Sequence, residues 1–232
     1  MHLIVLPHYC KVEVDNFCKT AELWAKLTKT DLEYEFLAVF PYNGRINRQL
    51  EKTFSELGKV RHLKSHYKGR GLRKPERGYK MTGGTAMFWS AFEHIGEHYK
   101  DDDGFVLWLE HDMVPLVPDW LDQLDEAWQR TNKKILGQFI RKPFNNTRPH
   151  MNGGACYSKS LDKIIKTKDN YRLPFDVGLS KVAKGKMQHT KLFELWIQEE
   201  TMGDRVPKPE TVILHGVLDD SAREYAYKIN NI

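Results

Sequence analysis

Two carboxylates one residue apart, Glu110 and Asp112, flank His111 at the end of the most apolar stretch of the chain, FVLWLEHDMVP over residues 105–115. If that stretch is a strand up to residue 112, its two-residue period points both acids to the same side. Such a pair suits a hard divalent cation, Mg²⁺ or Mn²⁺, which takes oxygen ligands and keeps positions open for phosphate oxygens. His111, lying between the acids, would face the other way and reads as structural. Pairing with Lys or Arg is the other use for the two acids. Capping the following helix is not, because Asp119 already stands where DWLDQLDEAWQR begins.

The elements that must position these residues alternate along the chain. HLIVLP and LEYEFLAVF read as strands, and KVRHLKSH as a third. Between them, VDNFCKTAELWAKL carries apolar residues near helical period, with Asp15 as its expected N-cap, and NRQLEKTFSELG is a helix closed by Gly58. GGTAMFWSAFEHIGEHY places Phe88, Trp89, Phe92, Ile95 and Tyr99 on one helical face. The unbroken apolar run before Glu110 predicts a strand buried on both sheet faces, and KKILGQFI a further strand. Through residue 140 this is a β-α-β-α-β-α-β-α-β order, which predicts an α/β fold with a mostly parallel sheet flanked by helices. Ligands of such sheets sit beyond the carboxyl ends of the strands, where Glu110 and Asp112 fall. After residue 140 the pattern turns irregular, with Gly153-Gly154 and later proline-containing stretches.

The 232 residues suit one domain with a substantial core, and no apolar run approaches the ~18–20 residues of a membrane span. The start, MHLIVLPHYC, lacks a basic n-region and a small-residue cleavage site, so it reads as a strand and not a signal peptide. Cys10, Cys18 and Cys156 have no metal spacing and fit free thiols in a reducing cytoplasm, with Cys10 and Cys18 as buried small hydrophobes. The net charge of +5 is uneven, since residues 59–80 hold five Lys and four Arg against the single acid Glu76. A run this basic suits a polyanion or phosphate partner, or else a solvated loop. Gly83-Gly84 opens a predicted helix, where backbone N–H groups can approach a phosphate.

The motif LWLEHDMVPLVPDWLDQL resembles the E-x-D variant of the acidic D-x-D motif of nucleotide-sugar glycosyltransferases with the GT-A (Rossmann-like) fold. MNGGACYSKSLDKII, LPFDVGLSKVAKGK and VILHGVLDD follow in the order of that family's later elements, so the resemblance covers most of the chain. It implies a single GT-A-like domain over 1–232, with a nucleotide-sugar-binding half over 1–125 and an acceptor-side half over 126–232. It implies a metal, Mn²⁺ or Mg²⁺, held by Asp112 and His215, and Asp176 as the catalytic base. Donor contacts are implied for Pro7, His8, Lys80, Gly83, Gly84, Glu110, Gly153 and Gly154. It implies a hydroxyl group as the acceptor. Because some small GT-A proteins of phages glycosylate hydroxymethylated pyrimidines in DNA, the basic run, with Arg70, Arg73, Lys74 and Arg77, makes such DNA one candidate and a host cytoplasm its setting. A saccharide, lipid-linked or protein hydroxyl is the other. In that setting Phe193 and Trp196 read as core more readily than as base-stacking surfaces. A non-catalytic nucleic-acid-binding α/β module is the alternative from another class, and a metal-dependent nucleotidyltransferase a third reading.

Overall fold

In a computed structural model, residues 1–70, 81–100, 102–141, 149–164, 173–199 and 201–232 are described. Strands β1 (His2–Pro7), β2 (Tyr34–Phe40), β3 (Val60–Lys64), β4 (Phe105–Trp108), β6 (Ile135–Ile140), β7 (His150–Ser158) and β8 (Met187–His189) form a seven-stranded sheet in the order β3-β2-β1-β4-β7-β6-β8. Within it β3, β2, β1 and β4 are parallel to one another, β7 runs antiparallel to both its neighbours, and β8 is parallel to β6. A second sheet, missed in the sequence, joins β5 (Met113–Pro115), β10 (Ile213–Val217) and β9 (Phe193–Glu199) in the order β5-β10-β9.

Strands β1, β2 and β4 of the large sheet are buried on both faces, as their unbroken apolar runs require. Ile4, Leu6, Phe36, Ala38, Phe105 and Leu107 pack with α1 (Lys11–Leu27) and α2 (Arg48–Ser55) through Phe17, Trp24 and Phe54. Their neighbours in sequence, Leu3, Val5, Leu37, Val39, Val106 and Trp108, pack under Phe88, Phe92 and Ile95 of α3 (Gly83–His98). Each fully buried Phe or Leu stabilises the fold by ~1.5–3 kcal/mol, so helix position relative to the strand ends is strongly fixed. Trp196 and Phe193 are buried at 2% exposure, so they are core and not stacking surfaces. The third core patch places Leu23 and Leu27 of α1 against Trp196, Leu214 and Ala222, binding the small sheet to the large one.

Several local expectations are corrected. Helix α1 begins at Lys11, not after Asp15, because the Glu13 carboxylate accepts from the Tyr9 and Cys10 backbone N–H groups and so starts the helix earlier. Cys10 is exposed at that helix start, whereas Cys18 and Cys156 are buried. Asp119 makes no capping bond to α4 (Trp120–Gln129); its carboxylate accepts from the Gln123 side chain at 2.9 Å. Gly58 does not adopt a left-handed conformation; its N–H bonds the Phe54 carbonyl at 3.1 Å. Among the described residues no helix is long and apolar enough to cross a membrane.

A candidate metal and donor site at the sheet edge

Strand β4 stops at Trp108, short of the acids. Glu110, His111 and Asp112 lie in a tight turn closed by the Met113 N–H donating to the Glu110 carbonyl at 3.0 Å. The strand period therefore does not align the two carboxylates; the turn does, and it also carries the chain from the large sheet into β5 of the small one. His215, on β10 directly opposite Met113, faces them. Its Nε2 lies 3.2 Å from Glu110 Oε2 and 3.2 Å from Asp112 Oδ1. One ligand atom from each of Glu110, Asp112 and His215 falls within 4.8 Å of the others. Glu110, expected among donor contacts, thus stands in the same cluster as the two expected metal ligands.

The surroundings are shaped for this approach. The Asn152 side-chain amide meets His215 Nδ1 at 2.7 Å, which leaves Nε2 for the carboxylates. A Cβ on Gly153 would come within 2.8 Å of Glu110 Oε1 and 2.7 Å of the Phe175 ring. One on Gly154 would come within 2.5 Å of the Met113 sulfur and 3.3 Å of His215 Nδ1. Behind His215 the pairing of β10 with β9 shifts register between His215 and Val217, and Gly216 has φ +95°. This bulge lets the Gly216 N–H reach the Asp112 carbonyl at 3.2 Å, and a Cβ there would sit 2.0 Å from the Trp196 carbonyl. Arg223, buried on α7 (Ser221–Asn230), donates to the Asn16 carbonyl at 3.2 Å and the His111 carbonyl at 3.5 Å, pinning the acidic turn to α1.

Burial alone would hold the His215 imidazole neutral, yet the charge and hydrogen bond of Asp112, followed by Glu110, outweigh it and push its pKa up to about 10. Asp112 is half-buried, which opposes its ionisation, but the His215 charge holds its carboxyl well below the usual range. Two carboxylates and an imidazole with their free edges converging are a donor set suited to a divalent ion such as Mn²⁺. His111 turns instead toward α1, its Nδ1 3.3 Å from Asn16 Nδ2 and its ring edge-on to Phe17.

Glu110 also borders a cleft of about 400 Å³ beyond the ends of β1 and β4, lined among others by Pro7, Gly84, Thr85, Trp108, Phe175 and Asp176. Gly83 and Gly84 open α3, whose N-cap Thr82 accepts from the Thr85 N–H at 3.2 Å. Asp176 is the second residue of α6 (Phe175–Val182), and His150 Nε2 lies 3.5 Å from its Oδ2. His8 does not line the cleft. It is buried beside Phe40, its Nδ1 near the Leu6 carbonyl at 3.3 Å and its Nε2 without a hydrogen-bond partner among the described residues. Lys80, Arg73, Lys74 and Arg77 lie outside the described residues; Arg70 is exposed.

Sequence reasoning missed Asn152, His150 and Thr85. Asn152 had a signal, since strand period sets it on the same face as Gly154, already singled out.

No family model and no curated protein matches the sequence. Solved structures do. A galactosyltransferase, LgtC, in complex with donor and acceptor sugar analogs superposes with TM-score 0.57 at 13% identity, over 100% of this chain and 94% of that one. Mouse xyloside xylosyltransferase 1, apo form, gives TM-score 0.57 at 11% identity, over 93% of this chain and 97% of that one. TarS of S. aureus, residues 1–349 with UDP-GlcNAc, gives 0.50 at 12% identity, over 82% and 56% of the two chains. The chain has the fold of the GT-A glycosyltransferases.

Proposed function

We propose that the chain is a metal-dependent glycosyltransferase, moving a sugar from a nucleotide-sugar donor to a hydroxyl acceptor. The observation that carries this reading is the convergence of Glu110, Asp112 and His215 at a cleft that also holds Asp176. Bound there, Mn²⁺ or Mg²⁺ would neutralise the charge that develops on a departing diphosphate. The chain's own groups supply the rest. The N-terminus of α3 at Gly83 and Gly84 offers backbone N–H groups and the positive end of a helix dipole to a phosphate. Trp108, Met87 and Phe175 make an apolar wall that excludes water. Asp176 takes the proton of the acceptor hydroxyl, with His150 orienting its carboxylate. Gly153 and Gly154 keep the space beside Glu110 and His215 clear of side chains.

Asp176→Asn tests the division of labour. Turnover is expected to fall ~10²–10⁴-fold, the range for loss of a positioned base, with affinity for a UDP-sugar unchanged by thermal shift in Mn²⁺. Loss of donor affinity with turnover at saturation intact would make Asp176 a donor contact instead.

A DNA acceptor is a second reading, favoured by one observation. Tyr42 is 43% exposed just past β2, with the Lys64 and Lys68 ammonium groups 5.7 and 5.1 Å from its ring centre. An exposed ring among cations suits a nucleic-acid strand. Transfer to hydroxymethylpyrimidine DNA, followed across a salt series, is then expected to weaken with a log–log slope of about −0.9 per neutralised phosphate. Salt-independent transfer, or none, removes the DNA reading and leaves the transferase reading standing.

A further inference from the structure

A second concavity of about 320 Å³ is lined by Phe139, Arg141, Met151, Gly185, Met187 and His189. Its place follows from strand direction. Strands β1, β4, β6 and β8 all point the same way, since β7 reverses between β4 and β6. Their carboxyl ends, and the start of β7 at His150, therefore share one edge of the sheet. Phe139, Met151 and Met187 pack against the same core patch as Trp108 and Phe175, so groove and donor cleft also share a face.

Helix α6 forms the wall between them. Its first two residues, Phe175 and Asp176, line the donor cleft. One turn on, Ser180 accepts from the Met151 N–H at 2.9 Å and lies 3.8 Å from the Met187 sulfur, touching two residues of the groove. A helical turn rises ~5.4 Å, about the width of one sugar ring, so Ser180 at the groove and Asp176 at the cleft are one ring apart along α6. His150, adjacent to Met151, already touches Asp176 from that side.

The lining defines the ligand. Phe139, Met151 and Met187 give an apolar floor, and thioethers adapt to irregular shapes. The polar groups carry positive charge or donate. Arg141 is exposed and has no ion-pair or hydrogen-bond partner among the described residues. His189 accepts from the Phe139 N–H through Nδ1 at 3.1 Å, so its own proton sits on Nε2 as a donor. Burial lowers the His189 pKa, and Arg141, Lys208 and Lys191 lower it further, so the ring stays neutral amid positive charge. Lys191 and Lys208 are balanced by Glu210 and Glu194, at 3.1 and 3.7 Å, while Arg141 is not. The volume lies at the small end of small-molecule sites, about 300–1,000 Å³.

We infer that this groove is the acceptor subsite and that the acceptor is a saccharide bearing a phosphate or carboxylate, its apolar ring face on Phe139 and its anion on Arg141. The inference rests on the transferase reading above. The experiment is saturation-transfer NMR with glucose 6-phosphate and glucuronate as the two anionic probes and glucose as the neutral control, each with and without UDP and Mn²⁺. Both anionic probes, or one of them, are expected to bind more tightly than glucose, undisturbed by UDP, and to lose about tenfold or more in affinity in Arg141→Ala. Which probe binds identifies the anion. His189→Gln, which keeps a donor, is expected to bind them nearly as wild type. Equal binding of glucose, indifference to Arg141→Ala, or displacement of the probes by UDP overturns the assignment. So does Arg141-dependent binding of a single-stranded oligonucleotide when neither sugar anion binds. Because binding is read without turnover, a wild-type protein that ignores UDP-sugars would count against the transferase reading alone.

Discussion

Asp112→Asn is expected to lower transfer by about 10³-fold or more while leaving the fold in place. The substitution keeps the shape of a side chain whose Oδ1 lies 3.2 Å from His215 Nε2, and it removes the negative charge that the proposed ion and the imidazole both need. A loss of that size is ~4 kcal/mol of transition-state stabilisation, within the several kcal/mol that a Lewis-acid metal supplies. The mutant is also expected to melt lower without metal, by ~1–3 kcal/mol of stability, because the buried His215 keeps only Glu110 as an acidic partner. The two effects separate on adding Mn²⁺, which should raise the melting temperature of the wild type and not of the mutant. Mn²⁺-dependent turnover at the wild-type rate in a folded mutant would remove Asp112 from the metal set.

Metal affinity should depend steeply on pH. Without metal, the acids around His215 push its pKa up to about 10, so Nε2 carries a proton across the neutral range. An imidazole ligates only when that nitrogen is bare, and each binding event therefore expels one proton. Apparent affinity for Mn²⁺ should rise about tenfold per pH unit, or ~100-fold from pH 7 to 9. Calorimetry in buffers of different ionisation enthalpy should register the release of one proton at pH 7. Affinity flat with pH and no proton release would mean that His215 does not ligate.

The same pair fixes the stability profile of the metal-free chain. His215 has a folded pKa above its ordinary 6.5, so its contribution is complete below 6.5 and fades as pH rises through about 10. Asp112 has a folded pKa below its ordinary 3.8, so its contribution holds above 3.8 and is lost in stronger acid. From this pair the metal-free chain gains most between those two values, and metal moves the optimum upward.

The parts of this architecture legible in the sequence are those set by long apolar runs. Strands β1, β2 and β4 and the buried face of α3 follow directly from where Ile, Leu, Val and Phe fall, and they suffice to locate the edge where Glu110 lies. The acidic turn was misread because a period of two places Glu110 and Asp112 on one side just as a turn does. Only the pairing of β5 with β10, across ~100 residues of sequence, separates the cases. The small sheet was illegible for a related reason. Three-residue β5 is too short to carry a pattern, and its partners are defined by contacts rather than by local propensity. Asp15 lost the start of α1 to Glu13 because the carboxylate three residues inside the helix satisfies two backbone donors at once. The groove at Arg141 and His189 depends on β6 and β8 being neighbours, which no local signal announces.

The pairing of β5 with β10 has a consequence for how the chain is made. The seventh strand of the large sheet ends at His189, so that sheet can close before residues 190–217 leave the ribosome. Until they do, β5 has no strand beside it, and Met113, Val114 and Leu116, all buried in the finished protein, face water. Glu110 and Asp112 spend that interval as a bare acidic turn. Pairing across such a sequence separation is slow, because loop-closure entropy is spent before any contact rewards it. The late arrival of β10 thus covers the apolar ribbon and delivers the imidazole in one step. A chain truncated after residue 190 should bind hydrophobic dyes and refuse Mn²⁺, whereas the chain extended through residue 232 should bind Mn²⁺ and not the dyes.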